Sequence, residues 1–242
     1  MRFEIKQQSF FNNGQLLLPL LKDNENASIE DKVKAWLERD YALTFTSRAK
    51  GIGISAGDLN KALRATIQEN IIGVHGETFV EDGAFFHQGI HGFDFSLYDE
   101  QHNIIRIRNN YIGDPGRFDG EAKLLEINKQ AGYSKRDWKS KIDKLGGDAG
   151  KNLPSSKTRL TIVGELQFGN WALVKHDLLR LLNSSDSLEI DYYIYIAPTG
   201  RLADLLSDGI VTYDSVINAI QENHRIIKTP LWIIGLDCSD AE

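Results

Sequence analysis

Two segments decide the fold: RLTIVGELQF at residues 159–168 and EIDYYIYIA at residues 189–197. The first is rich in β-branched residues, and the second is a near-continuous apolar run, which indicates a strand buried on both faces. A helical pattern at 171–183 separates them, and another at 213–224 precedes the apolar strand LWIIGL at 231–236. This order predicts parallel pairing with right-handed crossovers, hence an α/β fold with a central mixed β-sheet flanked by helices.

The part of the chain before these segments has a mixed pattern. Helical spacing predicts one helix over residues 29–40, with Ser28 as its N-cap, and a second over residues 56–71, capped near Asp58. No internal repeat, low-complexity tract or Pro-rich linker divides the sequence. We therefore predict a single domain over residues 1–242.

The middle of the chain carries two further patterns. Residues 93–99 and 103–109 alternate with period two, which predicts a β-hairpin. Residues 134–145 form a basic stretch with helical spacing that ends at Gly146-Gly147, two residues that favour a helix end. A short basic helix is expected there.

Composition excludes several classes of protein. The single cysteine, Cys238, excludes an internal disulfide and a cysteine-rich zinc site. The segment MRFEIKQQSFF at residues 1–11 lacks the apolar core of a secretory signal. The longest apolar runs fall far short of the roughly 20 residues that a membrane span needs. These features predict a cytoplasmic protein that has no membrane partner.

A basic segment precedes the first of the decisive strands. The whole chain has a net charge of -6, yet residues 129–159 contain nine Lys and Arg side chains against three Asp side chains, a local charge of +6. Such a patch is either a solvated loop or a contact for phosphate groups. Its position directly before the polar strand end favours phosphate contact.

Glu165 and Gln167 stand two residues apart on the predicted strand, so their side chains share one face while Leu166 points into the core. Polar side chains at the end of an apolar strand are unfavourable to bury without partners. A hard cation bound by carboxylate and carbonyl oxygens, including the Leu166 backbone carbonyl, would be such a partner. The alternative is an edge strand whose polar residues face solvent.

A metal site for phosphodiester hydrolysis needs a second acid besides Glu165. Asp148 lies at the end of the basic segment and Asp143 within it, whereas Glu126 and Glu121 lie further upstream. Spacing alone leaves these four alternatives open, with Asp148 as the first choice.

The run VGELQFGN at residues 163–170 resembles the catalytic strand of the BamHI and BglII restriction endonucleases in the PD-(D/E)XK superfamily. The resemblance continues through a leucine-rich helix, Glu189-Ile190-Asp191 and the run PLWIIGL at residues 230–236, and it covers about residues 145–240. It implies a restriction-endonuclease-like fold with its catalytic core at about residues 120–240.

The resemblance also implies roles at the strand. Glu165 would bind the metal, the carbonyl of Leu166 would be a further ligand, and Gln167 would fill the third motif position. Glutamine cannot act as a general base, but it can orient the attacking water by hydrogen bonding. Asp148, seventeen residues before Glu165, would be the metal-binding aspartate.

DNA contacts are implied just after the strand. Asn170 matches a residue at the start of a helix that points toward DNA in these relatives, and an ordinary N-cap role is compatible with that contact. Lys175 and His176 follow one helical turn later. Lys151, next to the proposed aspartate, would contact the DNA backbone.

Taken as a whole, the resemblance implies a Mg²⁺-dependent type II restriction endonuclease. It would act as a homodimer on a palindromic site in double-stranded DNA and leave 5′-phosphate and 3′-hydroxyl ends with a four-base 5′ overhang. No nucleotide cofactor is expected, because no phosphate-binding Gly-Lys-Ser/Thr loop is present. The alternatives are a repair or transposon nuclease, a non-catalytic DNA-binding protein, and a zinc hydrolase built on His87 and His91.

Overall fold

The structure is a computed structural model that describes residues 1–48, 51–87, 92–114, 116, 118–130, 135–206 and 209–239. At residues 48, 79, 87, 127–130 and 135–139 the description covers the backbone only. Within these ranges, no helix is long and apolar enough to cross a membrane.

Helices and strands alternate irregularly through the described residues. The strands are β1 (Arg2–Phe11), β2 (Phe45–Arg48), β3 (Gly51–Ile54), β4 (His75–Glu81), β5 (Ala84–His87), β6 (Phe93–Leu97), β7 (Thr161–Leu166), β8 (Ile190–Pro198) and β9 (Leu231–Ser239). The helices are α1 (Gly14–Leu17), followed by a 3-10 turn (Leu18–Leu20), α2 (Ile29–Leu37), α3 (Ala56–Asn70), α4 (Glu100–Ile112), α5 (Gly120–Gln130), α6 (Lys135–Leu145), α7 (Leu173–Ser184), α8 (Gly200–Leu205) and α9 (Tyr213–Asn223).

A mixed sheet forms the centre of the molecule. In the described part of the chain it has seven strands in the order β1-β9-β8-β7-β6-β4-β5, and β2 pairs separately with β3. The neighbours β7, β8 and β9 run parallel, as the sequence predicts. Every other neighbouring pair in the sheet is antiparallel. The predicted α/β fold with a central mixed sheet is therefore confirmed.

Both faces of the three parallel strands are covered, which explains their apolar runs. On one face, Leu166 and Ile196 pack with Trp36 of α2. On the other face, Val163 and Tyr193 pack with Leu178 of α7. Because successive side chains of a strand alternate between faces, the odd-numbered residues of β7 point toward α7.

Side-chain caps fix the starts of the N-terminal helices. The Ser28 side chain accepts a hydrogen bond from the Asp31 backbone N–H and caps α2, as predicted. The α3 helix is also confirmed, but its cap is the Ser55 side chain, which accepts from the Asp58 backbone N–H. Asp58 therefore lies in the first turn rather than at the cap.

The first strand of the hairpin predicted over 93–99 and 103–109 is confirmed, but the second is wrong. Residues 93–97 form β6, but α4 occupies residues 100–112 and begins after an Asp99 cap. The period-two alternation at 103–109 coincides with a helical pattern, because Ile104, Ile107 and Tyr111 lie three and four residues apart and are buried on one face.

The helical insertion α4–α6 separates two antiparallel neighbours of the sheet. Strands β6 and β7 pair directly, although 63 residues lie between Leu97 and Thr161. The basic helix expected near residues 134–145 is confirmed as α6, the last helix of this insertion. Strand β7 thus has its antiparallel partner far upstream in sequence rather than in an adjacent hairpin.

Gly164 permits the close contact between β6 and β7. A Cβ atom at this residue would lie 2.1 Å from Cζ of Phe95, whose ring packs against the glycine. We expect Gly164→Ala to lower the free energy of unfolding by about 1–3 kcal/mol, because the buried ring must shift. Chemical denaturation measures this loss.

The matched control is Gly76→Ala in β4, since a Cβ there meets no atom within 4 Å. It should leave the stability within the error of the measurement or raise it slightly. Equal losses for the two variants would contradict the proposed packing of Phe95 on Gly164.

Candidate active site

A cavity of about 420 Å³ opens where β7 ends and β6 begins, between α3 and α7. Its wall is strongly polar and contains four carboxylates and two guanidinium groups among the described residues. The lining residues are Asn60, Arg64, Glu77, Gly92, Phe93, Asp94, Glu165, Leu166, Gln167, Leu173, His176, Asp177 and Arg180. Two of the predicted catalytic side chains, Glu165 and Gln167, therefore enter the same cavity.

Glu165, like Asp177, is a deeply buried acid of the cavity. It lies on β7 opposite Tyr195 of β8, is only 5% exposed and forms an ion pair with Arg180 of α7. Burial raises the pKa of the Glu165 carboxyl well above its usual range, and the nearby Asp94 and Asp177 raise it further, whereas Arg180 lowers it. The one guanidinium group beside Glu165 therefore does not fully offset the unfavourable effect of burial and of the two acids on its ionised form.

Asp94 is the second acid beside Glu165. Phe95 of β6 pairs with Gly164 of β7, so the antiparallel register brings Asp94 opposite Glu165. The backbone N–H of Leu166 donates to Asp94 Oδ2 at 2.6 Å. The Leu166 side chain points into the core, as predicted, while its backbone lies between the two acids in the cavity wall.

An arginine accompanies Asp94 in the same way that Arg180 accompanies Glu165. Arg64 of α3 forms ion pairs with Asp94 and with Glu77 of β4. The sheet and the helices on its two sides thus hold each acid against one guanidinium group. This arrangement fixes the carboxylates at the cavity wall.

Gln167 follows β7 and is held at both ends of its amide. Its Nε2 donates to Asp177 Oδ2 at 2.9 Å, and its Oε1 accepts from the Gly169 backbone N–H at 3.1 Å. The side chain is buried, as is Asp177. Sequence spacing placed Gln167 on the same face as Glu165, and both residues do line the cavity.

The donor set fits a hard divalent cation such as Mg²⁺. Asp94 and Glu165 supply carboxylate oxygens from neighbouring strands, and the backbone of Leu166 lies between them in the wall. The excess of carboxylates over guanidinium groups leaves negative charge that a cation would neutralise. Among the described residues, no group of three His, Cys, Asp or Glu side chains surrounds one point.

Asp148 does not line this cavity. Its side chain is 76% exposed and forms an ion pair with Lys151 at 2.9 Å, while its backbone carbonyl accepts from Arg108. The other acids considered from the sequence, Asp143, Glu126 and Glu121, are likewise not among the residues in the cavity wall. The acids that the structure brings close to Glu165 are Asp94, on the neighbouring strand, and Asp177 of α7.

The residues expected to contact DNA are on the surface near α7 or in the insertion. Asn170 is exposed, and its Oδ1 accepts from the Ala172 backbone N–H at 2.9 Å, so it stabilises the turn that leads into α7. His176 lies at the cavity, with Nδ1 3.2 Å from Arg180 Nη2. Lys175 and Lys151 are exposed.

The structure does not test the zinc alternative, which is built on His87 and His91. His87 ends β5, but its side chain and all of His91 lie outside the described residues.

Sequence reasoning missed Asp94, Arg64, Asp177 and Arg180. Asp94 stands in the run FDFS, where an acid between two aromatic residues of a strand is a signal of a special site. Asp177 stands among Val174, Leu178 and Leu181, the buried face of α7, where an apolar residue is expected. Both acids break an apolar pattern, and that break was the available signal.

Comparisons with known proteins identify the family and the fold. A family model described as restriction endonuclease BglII/BglIII matches residues 93–236, more than half of the chain, from β6 to β9. No curated protein matches the sequence. The crystal structure of restriction endonuclease BglII complexed with a DNA 16-mer has a TM-score of 0.52 at 10% identity, covering 100% of this chain and 79% of that one. For free BglII the TM-score is 0.47 at 8% identity, covering 100% and 81%. At these identities the structural likeness concerns the fold.

Proposed function

Since the chain belongs to the BglII/BglIII family of restriction endonucleases, we propose that it cleaves double-stranded DNA in the cavity between β6 and β7, with Mg²⁺ held by Asp94 and Glu165. The protein is a type II site-specific nuclease that binds DNA. The metal, the residues that hold it and the details of cleavage are the proposed part.

One observation carries the proposal: Asp94 and Glu165 meet on neighbouring antiparallel strands inside a polar cavity. The matched family segment begins at residue 93, so it contains both acids and Gln167. This pair replaces the pair of Asp148 and Glu165 that spacing suggests, because Asp148 faces solvent outside the cavity. Asp94 and Glu165 would hold the cation, together with the carbonyl oxygen of Leu166.

When bound, Mg²⁺ supplies positive charge that stabilises the pentavalent transition state at phosphorus and activates water as the nucleophile. The protein orients the participants. Gln167 can donate its second Nε2 hydrogen to the attacking water, because only one is used by Asp177. The Gln167 amide cannot accept the proton that the attacking water loses, so solvent or a DNA phosphate oxygen would accept that proton. Arg64 and Arg180 keep the two carboxylates in place.

Recognition follows from the surroundings of the cavity. Asn170, Lys175 and His176 lie at the start of α7 and would contact the duplex, and Lys151 would contact the phosphate backbone. Two copies of the chain related by a two-fold axis would match a palindromic site, with one strand cut by each subunit. The products carry 5′-phosphate and 3′-hydroxyl ends with a four-base 5′ overhang, and no nucleotide cofactor is needed.

The direct test is incubation of the purified protein with a plasmid of known sequence, in Mg²⁺ and in EDTA, without ATP. We expect discrete fragments with fixed ends in Mg²⁺ and intact plasmid in EDTA. Intact plasmid in both, or cutting that EDTA does not stop, would contradict the proposal. Stoichiometric zinc in the purified protein would favour the zinc alternative instead.

Basic residues of the insertion should contribute to DNA binding through interactions with phosphate groups. Lys141 of α6 and Lys151 are both exposed, and Lys135 and Lys139 precede them on the same helix as Lys141. We expect Lys141→Gln with Lys151→Gln to make the plot of log binding constant against log salt concentration shallower, by about 0.9 for each phosphate that is no longer neutralised. Fluorescence anisotropy with a labelled duplex, titrated at several salt concentrations, measures the slope.

A control with equal loss of charge separates this effect from net charge. Lys6 and Lys228 are also exposed and lie outside the insertion. Their double replacement by Gln should leave the slope unchanged. A slope that responds equally to both double variants, or to neither, would exclude the basic insertion as a phosphate-binding surface.

A further inference from the structure

Asp177 is a buried acid of α7 that no metal role requires. It is 4% exposed and accepts two hydrogen bonds at Oδ2, from Gln167 Nε2 and from the Tyr195 hydroxyl, both at 2.9 Å. Its other oxygen, Oδ1, lies 3.6 Å from Arg180 Nη1. The carboxylate thus joins α7, β8 and the residue that follows β7 in the cavity wall.

The Tyr195 hydroxyl is a hydrogen-bond donor to the Asp177 carboxylate. Burial raises the pKa of Tyr195 well above its usual range, and the adjacent Asp177 raises it further, so the phenol stays protonated. Its single hydrogen points to Asp177 Oδ2, at 2.9 Å. Tyr195 therefore fixes the position of the acceptor that Gln167 meets.

Gln167 depends on this acceptor for the orientation of its amide. A glutamine side chain loses considerable rotamer freedom when it is held in one place, and its two amide ends are chemically opposite. The Gly169 N–H fixes Oε1, and Asp177 fixes Nε2. A donor is thereby kept at a defined place in the cavity, and without Asp177 the amide could rotate or flip.

We propose that Asp177 is a positioning residue of the active site, which acts by holding the Gln167 amide with its donor nitrogen in place. This inference rests on the proposed nuclease function of the cavity. Asp177 does not touch the cation or the DNA in this account. Replacement of Asp177 should therefore lower cleavage only when Gln167 is present. Replacement of a merely structural residue would lower cleavage whether or not Gln167 is present.

A double-mutant cycle tests this dependence. Asp177→Ala should lower the single-turnover cleavage rate constant by about 100-fold, since misplacement of a group by about 1 Å has effects of that size. Gln167→Ala should lower it by a similar factor. If Asp177 acts through Gln167, the double variant loses no more than the worse single variant. Losses that multiply would overturn the proposal.

Two further variants keep structural damage distinguishable from impaired positioning. Asp177→Asn keeps an acceptor oxygen for Gln167 and Tyr195, so it should restore the rate to within about tenfold of the wild type. Asp23→Ala is the matched control: Asp23 is also 4% exposed, and its Oδ1 accepts from the Glu25 and Ala27 backbone N–H groups at 2.9 Å, outside the cavity. It should lower the Tm but leave the cleavage rate constant unchanged. If Asp177→Ala fails to fold, Asp177→Ser replaces it in the cycle, because a hydroxyl is too short to reach Gln167.

A spectroscopic readout tests the inference without cleavage. In protein labelled with ¹⁵N-glutamine, the Gln167 side-chain NH₂ signal is assigned as the one missing from Gln167→Ala. Its bond to a buried carboxylate should slow hydrogen exchange of that group, and Asp177→Ala should remove the protection while Asp23→Ala keeps it. An unprotected Gln167 signal in the wild type would overturn the inference. A wild type that protects Gln167 but does not cut DNA would leave the positioning intact and refute the nuclease proposal.

Discussion

Replacement of Glu165 by alanine is expected to abolish DNA cleavage. The variant loses one of the two carboxylates that would hold Mg²⁺, and the single-turnover rate constant should fall on the order of 10³-fold or more. Specific binding should survive, because the residues proposed to contact the duplex do not include Glu165. The change removes a buried acid whose pKa is raised by burial and by two neighbouring acids, so the fold should tolerate it. Cleavage in Mg²⁺ and band-shift binding in Ca²⁺ measure the two effects separately.

Glu222→Ala is the control for this variant. Glu222 is an exposed acid of α9 and lies outside the cavity wall, so its replacement should change neither cleavage nor binding. Similar unfolding transitions of the wild type and both variants would show that any loss of cleavage is not caused by unfolding. A Glu165→Ala protein that still cuts DNA in Mg²⁺ would show that this cavity is not the catalytic site.

Asp94→Asn should be as damaging as Glu165→Ala, whereas Asp148→Asn should lower the cleavage rate by less than about tenfold. The asparagine at 94 retains an oxygen for the Leu166 backbone N–H, and Arg64 retains Glu77 as an ion partner. The local structure is therefore preserved while the metal-binding charge is removed. At 148 the change affects only an exposed carboxylate paired with Lys151. Single-turnover cleavage of one DNA substrate by both variants measures the contrast.

The reverse pattern would be equally informative. If Asp148→Asn abolished cleavage and Asp94→Asn did not, the sequence spacing that favours Asp148 would be the better guide, and the exposed loop after α6 would have to close over Glu165. Titration of cleavage with Mg²⁺ adds a second criterion. Removal of a metal ligand raises the Mg²⁺ concentration required, and we expect that shift for Asp94→Asn alone.

The parallel half of the fold could be predicted because its signals are local. The strands β8 and β9 are nearly continuous apolar runs, β7 starts with the β-branched residues Thr161-Ile162-Val163, and the helices α7 and α9 between these strands show clear amphipathic spacing. A strand that is buried on both faces has few other ways to pair. Glu165 and Gln167 were predicted as site residues for a related reason, since polar side chains on one face of such a strand need a partner. Both line the cavity, and their catalytic roles stay predictions.

Asp94 could not be found by the same reasoning. Its position beside Glu165 depends on the pairing of two strands that α4, α5 and α6 separate, and no local pattern reports a contact over so many residues. The resemblance favours Asp148 instead, which lies in the loop after α6 and seventeen residues before Glu165. In addition, residues 103–109, which the sequence predicts as the second strand of a hairpin, belong to α4. The sequence therefore did not indicate that α4 lies between β6 and β7.

The most direct test of the central claim is the position of a bound divalent ion. Crystals of the protein with Mn²⁺ in place of Mg²⁺, measured for anomalous scattering, show where the metal lies. The account predicts one peak within metal–oxygen distance, about 2.5 Å or less, of carboxylate oxygens from both Asp94 and Glu165. A peak at Asp148, or a cavity between β6 and β7 without metal at saturating Mn²⁺, would contradict it.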